Sequence, residues 1–237
     1  MHNTLIAIVC AFAATAACGG NDTPRRQSDT QRTSPPATSA ATPQKTTAPT
    51  TTRPRIVVLG DSLTAGLGLP IEEAYPSLLQ KLIDQEGLQY EVVNAGVSGD
   101  TSAGGLSRLD WALDGDVRFL VVALGGNDAL RALPAEELRQ NLATIIERAQ
   151  AKHIQVVLAG MEAPRNFGRD YDVRFHQVYP DLAKKYDVPL VPFLLQDVAG
   201  IERFNQRDGI HPTAAGAQIV AKNVWTVLKP LLDKSRS

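Results

Sequence analysis

Val57-Val58-Leu59-Gly60-Asp61-Ser62-Leu63-Thr64 joins a short apolar, β-branched run to a glycine and then to a hydroxyl residue. The run reads as a buried strand and the glycine as its end. In an open parallel sheet, ligands collect just beyond the carboxyl ends of the strands, so the Ser62 hydroxyl is expected at the functional crevice. Taken alone, such a serine is more simply a helix N-cap, its oxygen accepting a backbone N–H two or three residues on. The other role, a nucleophile, requires a base and a carboxylate that orients the base.

The pattern of this stretch repeats along the chain. Strands are expected at Ile56–Leu59, Tyr90–Val93, Phe119–Leu124, Ile154–Leu158 and around Pro189–Val191. Helices are expected near Tyr75–Gln85, Gly104–Trp111, Pro134–Ala151, Tyr171–Tyr186 and Pro212–Leu232. Leu138, Leu142, Ile145, Ile146 and Ala149 follow the three-and-four spacing of a half-buried helix. Near-continuous apolar strands that alternate with helices indicate a parallel sheet covered on both faces.

Asp208-Gly209-Ile210-His211-Pro212, near the other end, supplies a base and a carboxylate within one turn. A separation of three in a glycine-containing loop, with Pro212 opening a helix, lets both side chains point the same way. The order Ser…Asp…His excludes the chymotrypsin and subtilisin orders. It occurs in α/β-hydrolases, but their nucleophile elbow has a glycine two residues after the serine, where this chain has Thr64.

Two further segments lie at strand ends. Asn94-Ala95-Gly96-Val97-Ser98-Gly99-Asp100-Thr101 follows Tyr90–Val93, and Leu124-Gly125-Gly126-Asn127-Asp128 follows Phe119–Ala123. Small and polar residues there let backbone N–H groups approach a ligand. With Gly60-Asp61-Ser62-Leu63 and Asp208-Gly209-Ile210-His211, they resemble the four blocks of the SGNH (GDSL) hydrolase superfamily, in its order. The similarity spans Arg55 to Leu232 and is closest to the bacterial thioesterase I/lysophospholipase L1/arylesterase branch.

That resemblance implies a flavodoxin-like three-layer α/β/α domain with a parallel five-stranded sheet. It implies Ser62 as nucleophile, His211 as base and Asp208 as orienting acid. The oxyanion hole would be made by the backbone N–H groups of Ser62 and Gly99 and the side-chain amide of Asn127. The stretch Arg131–Pro134 with Leu130 before it, and Ala163–Gly168, match the family's substrate-side loops. Leu130, Leu133, Pro134, Pro164 and Phe167 are therefore expected to contact substrate. The implied activity is hydrolysis of acyl esters, lysophospholipids or acyl thioesters. An acetyl-esterase acting on polysaccharide, or a non-catalytic surface-anchored binding lipoprotein, are the alternatives.

Composition narrows the classes. The chain has 237 residues, 43% of them hydrophobic, and a formal net charge of −1. It can bury one substantial core, and neither its charge nor any basic aromatic patch points to nucleic acid. Without Cys-x-x-Cys, His-Glu-x-x-His or a Walker A run, no metal and no cofactor is implied.

The first 18 residues read as a targeting segment. Leu5–Ala14 is apolar but too short to span a bilayer. Thr15-Ala16-Ala17-Cys18-Gly19 resembles a bacterial lipobox, with Cys18 as the lipidated first mature residue. Position −3 is Thr rather than Leu, and the rival is ordinary secretion after an Ala-x-Ala site. Cysteine use favours lipidation, because Cys10 leaves with the signal and Cys18 would otherwise be an unpaired thiol in an oxidising compartment. A lipid-anchored, periplasm-facing envelope protein is expected, or else a soluble periplasmic or secreted one. Residues 19–54 contain no Leu, Ile, Val, Met or aromatic residue and read as a tether before a hydrolase domain at 55–237.

Other polar and aromatic residues have simpler readings. His153 is a surface histidine after a helix, and His176 is structural within one. Asp61 rivals Asp208 as the acid, but its place beside Ser62 suits an Asx-type bond that holds the turn. Trp111 and Trp225 read as packing residues.

Overall fold

Five strands form one sheet in the order β2-β1-β3-β4-β5, every neighbouring pair parallel. They are β1 Arg55–Gly60, β2 Glu91–Gly96, β3 Val117–Ala123, β4 Gln155–Ala159 and β5 Leu190–Val191. The computed structural model describes residues 53–235. The expected targeting segment, Cys18 and the tether up to residue 52 lie outside the described residues. Just ahead of the expected boundary at residue 55, Arg53 pairs with Asp84 at 3.1 Å and the Pro54 carbonyl accepts the Glu91 N–H at 3.0 Å.

The helices are α1 Ser62–Ala65, α2 Tyr75–Gln85, α3 Ser102–Ser107, α4 Leu109–Ala112, α5 Gly126–Leu130, α6 Ala135–Ala151, α7 Arg169–Tyr186 and α8 Ala214–Lys234. Parallel crossovers are right-handed, so the reversal of direction after β2 sends α2 to one face of the sheet and α3, α6 and α7 to the other. The helix contacts follow that division: α2 packs on α8, and α6 on both α3 and α7. With both faces covered, Ile56, Val58, Leu59, Leu120, Val121 and Val122 have no accessible surface. On α6, Leu138, Leu142, Ile145, Ile146 and Ala149 are fully buried, as their spacing predicts. Burying each of the larger ones stabilises the fold by about 1.5–3 kcal/mol.

Four local expectations need correction. Asn94–Gly96 belong to β2 rather than to a loop, because pairing with β1 continues to Gly60 opposite Gly96. The helix expected at Gly104–Trp111 is two short helices: Thr101 caps α3 by accepting the Gly104 N–H, and the helix breaks at Arg108. The Arg108 guanidinium reaches back to the Gly60 carbonyl at 2.8 Å and to Asp100 at 2.6 Å. Thr213, not Pro212, directly precedes α8 and caps it by accepting the Gly216 N–H at 3.3 Å. Trp111 is 71% exposed and is not part of the hydrophobic core, whereas Trp225 lies against the core with Lys229 over its ring.

Candidate active site

Strand order reverses between β1 and β3, and the crevice beyond their carboxyl ends is where α/β sheets bind ligands. Ser62 sits there as the first residue of α1. The cap of that helix is Asp61, whose Oδ1 accepts the Leu63 N–H at 3.0 Å. Ser62 is thus relieved of capping, and its Oγ lies 2.9 Å from His211 Nε2. The turn rests directly on β2: at Gly96 any side chain would strike the backbone nitrogen of Ala65. Beneath it, the buried Thr64 and Tyr75 hydroxyls bond at 2.8 Å.

His211 and Asp208 stand on the loop before α8. Asp208 Oδ2 lies 2.7 Å from His211 Nδ1, and Oδ1 accepts the backbone N–H groups of Ile210 at 2.9 Å and His211 at 3.0 Å. These bonds, His211's backbone N–H foremost, hold the Asp208 carboxyl down at about 2. Gln206 anchors the loop on three sides. Its backbone N–H donates to the His211 carbonyl at 2.7 Å, and its side-chain amide donates to the Leu67 carbonyl at 2.8 Å and the Pro212 carbonyl at 2.9 Å. The loop carrying the imidazole is thereby tied to the segment just after Ser62.

β3 delivers the third part of the site. Gly125 turns the chain with φ 117°, a conformation open to glycine, and a side chain there would meet the Tyr179 hydroxyl. Tyr179 donates that hydroxyl to the Leu124 carbonyl at 3.0 Å. Asn127 follows, its amide nitrogen donating to the Asp100 carbonyl at 2.9 Å and to Asp61 Oδ2 at 3.2 Å. Gly99 lies in the adjoining turn, where its carbonyl accepts from Arg131 at 2.9 Å. The neighbouring Asp128 is buried and accepts the Ser102 N–H at 2.8 Å and the Ser102 hydroxyl at 2.5 Å; Asn141 donates to that hydroxyl in turn. Burial pushes the Asp61 carboxyl up to about 6, against the lowering effect of the Leu63 N–H and the Asn127 amide.

Ser62, Asn127 and His211 open on a cleft of about 350 Å³ whose walls include Leu130, Met161, Pro164, Phe193, Leu195 and Ile210. Of the residues expected to contact substrate, Leu130 and Pro164 line this cleft. Leu133, Pro134 and Phe167 are not on this lining. The Tyr171 hydroxyl donates to the Leu133 carbonyl at 2.9 Å, and the Phe167 ring packs edge-on against the Tyr171 ring. Pro134 borders a separate hollow between α6 and α7. Met161 and Phe193, which follow β4 and β5 at the carboxyl end of the sheet, are not among the expected substrate contacts but line the cleft as well. His176 faces Glu162 at 2.7 Å rather than the Ser62 hydroxyl.

Chemically, the Asp208–Nδ1 contact favours the imidazole tautomer protonated at Nδ1, which leaves the Nε2 lone pair facing a hydroxyl. A group so placed can take the hydroxyl proton as the oxygen attacks an electrophile.

Comparison with known proteins gives a consistent result. A family described as the GDSL-like Lipase/Acylhydrolase family matches residues 58–219. Esterase TesA of Pseudomonas aeruginosa is 46% identical over 178 residues, which cover 75% of this chain and 89% of that protein. Thioesterase 1/protease 1/lysophospholipase L1 of Escherichia coli is 38% identical over 179 residues, 75% of this chain and 85% of that one. Among solved structures, a crystal structure of TesA superposes with a TM-score of 0.72 at 44% identity, over 75% of this chain and 99% of its own.

Proposed function

Because this chain belongs to the GDSL-like lipase/acylhydrolase family, we propose that Ser62, His211 and Asp208 carry out its reaction, with the apolar cleft beside them receiving the acyl chain. The protein is a serine hydrolase acting on esters and thioesters. His211 Nε2 accepts the proton of Ser62 Oγ as that oxygen bonds to the acyl carbon. The backbone N–H groups of Ser62 and Gly99 and the Asn127 amide receive the oxyanion. The tetrahedral intermediate collapses as the bond to the leaving oxygen or sulfur breaks, and His211 returns the proton to that atom. Water, deprotonated by the same imidazole, then releases the acid from the acyl-enzyme.

The observation that carries this reading is the unbroken hydrogen-bonded chain from Ser62 Oγ through His211 to Asp208, at 2.9 and 2.7 Å, opening on an apolar cleft. Hydrolysis of p-nitrophenyl esters and acyl thioesters by the wild type and by Ser62→Ala tests it. Activity is expected only in the wild type, and equal activity in both would reject the assignment.

The amino-terminal sequence supports a second part of the proposal: the domain is held at the bacterial cell envelope by a lipid on Cys18, facing the periplasm. Gly19 rather than Asp after Cys18 suits export to the outer membrane. In that setting the acyl donors are envelope esters such as lysophospholipids rather than cytosolic thioesters.

A further inference from the structure

The cleft beside Ser62 is mostly apolar, and the charges on its wall are few. Among the described residues, the ionisable groups on its lining are Asp61, Glu162 and His211, with no lysine or arginine. His211 is the proposed base. Asp61 is buried and holds the Ser62 turn through the Leu63 N–H. Glu162 takes part in none of the steps above. It stands in the segment that leaves β4, next to Met161, and its side chain keeps 41% of its surface open to solvent. A neighbour off the lining holds it: His176 of α7 places Nδ1 2.7 Å from Glu162 Oε1. A carboxylate oxygen only accepts, so this contact needs the hydrogen on Nδ1.

A carboxylate on an apolar wall discriminates among substrates by charge. Charges interact more strongly beside low-dielectric protein than in bulk water, so the Glu162 charge is felt across a cleft this small. An acyl chain that ends in a carboxylate meets a like charge there. An acyl chain that ends in an ammonium group meets an opposite one, and an alkyl chain responds to neither. The His176 bond matters to this selection, because a long side chain left free would swing its charge into solvent. We propose that Glu162 is a specificity-determining residue, which excludes acyl groups carrying negative charge and admits neutral or cationic ones. The inference rests on the reading in which the acyl chain enters this cleft, and it narrows the substrate class within that reading. Half-esters of dicarboxylic acids are poor substrates, whereas alkanoyl and ω-ammonioalkanoyl esters are accepted. Specificity of this kind comes from a repulsive element as much as from an attractive one.

Three p-nitrophenyl esters of one acyl length test this, their chains ending in a tert-butyl, a trimethylammonium or a carboxylate group. The first two ends have nearly the same shape and differ in charge. kcat/KM is measured at pH 8 for the wild type, Ser62→Ala, Glu162→Gln and Glu162→Lys. Each charged ester is expressed as a ratio to the tert-butyl ester on the same preparation, so any loss of folded protein cancels. In the wild type the carboxylate ester should fall below the tert-butyl ester by roughly tenfold or more at low salt. Glu162→Gln should raise the carboxylate ratio by about tenfold and lower the trimethylammonium ratio, and Glu162→Lys should reverse the order of the two charged esters. Salt at about 0.5 M should shrink the wild-type discrimination while leaving the ratios of Glu162→Gln nearly unchanged. Ratios that are the same in the wild type and both Glu162 variants would make the contact with His176 a structural tie only and overturn the proposal. A tert-butyl ester hydrolysed equally by the wild type and Ser62→Ala would instead reject the reading of the site itself, so the two failures are distinct.

Discussion

Asp208 grips His211 twice: one carboxylate oxygen accepts the histidine's own backbone N–H at 3.0 Å, and the other meets its imidazole Nδ1 at 2.7 Å. The first bond places the residue and the second chooses its tautomer. Asp208→Asn can preserve the first through its carbonyl oxygen, but its NH2 then faces Nδ1 and favours the wrong tautomer. That variant should keep its melting temperature within a few degrees and lose on the order of 10⁴ in kcat. Near-wild-type turnover would show that the orienting acid lies elsewhere.

The two perturbed carboxyl groups have opposite consequences for pH. Asp208, lowered to about 2 from 3.8, contributes stability that is present above 3.8 and is lost as pH falls toward 2. It therefore remains charged at neutral pH, where the proposed reaction needs it to orient the His211 imidazole. Asp61 is raised from 3.8 to about 6, so between those values the folded chain binds its proton more tightly than the unfolded chain. Stability from this group falls as pH rises through that window, by an order of 2–3 kcal/mol. Asp61→Asn has no such dependence. Melting curves should therefore show the variant gaining several degrees on the wild type between about pH 4 and pH 7. An unchanged difference would contradict a buried, titrating Asp61.

An apolar cleft predicts a dependence on acyl length. Each methylene buried contributes about 0.8 kcal/mol, or roughly fourfold in kcat/KM. In a series of p-nitrophenyl esters, kcat/KM should climb by about that factor per carbon until the walls formed by Met161, Phe193 and Leu195 are covered, then level off. A flat series would mean that the acyl chain does not enter this cleft.

Cys18→Ser should move the protein from the membrane fraction to the soluble one and abolish incorporation of labelled fatty acid. A wild-type protein already soluble and beginning near Ala17 would replace the lipid anchor with ordinary secretion.

What could be read from the chain divides along physical lines. Asp208 and His211 share one short loop, and the apolar residues of α6 share one helix face, so local spacing was enough for both. Ser62 was legible through its strand, although its capping alternative was resolved only when Asp61 was found to hold Leu63. The break at Arg108 depends on partners 8 and 48 residues away, Asp100 and Gly60, which no local pattern reveals. Leu133 and Phe167 meet Tyr171, tertiary contacts that the loop sequences do not reveal. The Asp61–Asn127 bond joins residues 66 apart and was likewise invisible until β1 and β3 lay side by side.

The most direct test of the account is where a serine-reactive fluorophosphonate attaches. Peptide mass spectrometry after labelling should place the adduct on Ser62 alone, and the rate of labelling should fall sharply in His211→Ala and vanish in Ser62→Ala. An adduct on any other serine, or undiminished labelling of Ser62→Ala, would contradict it.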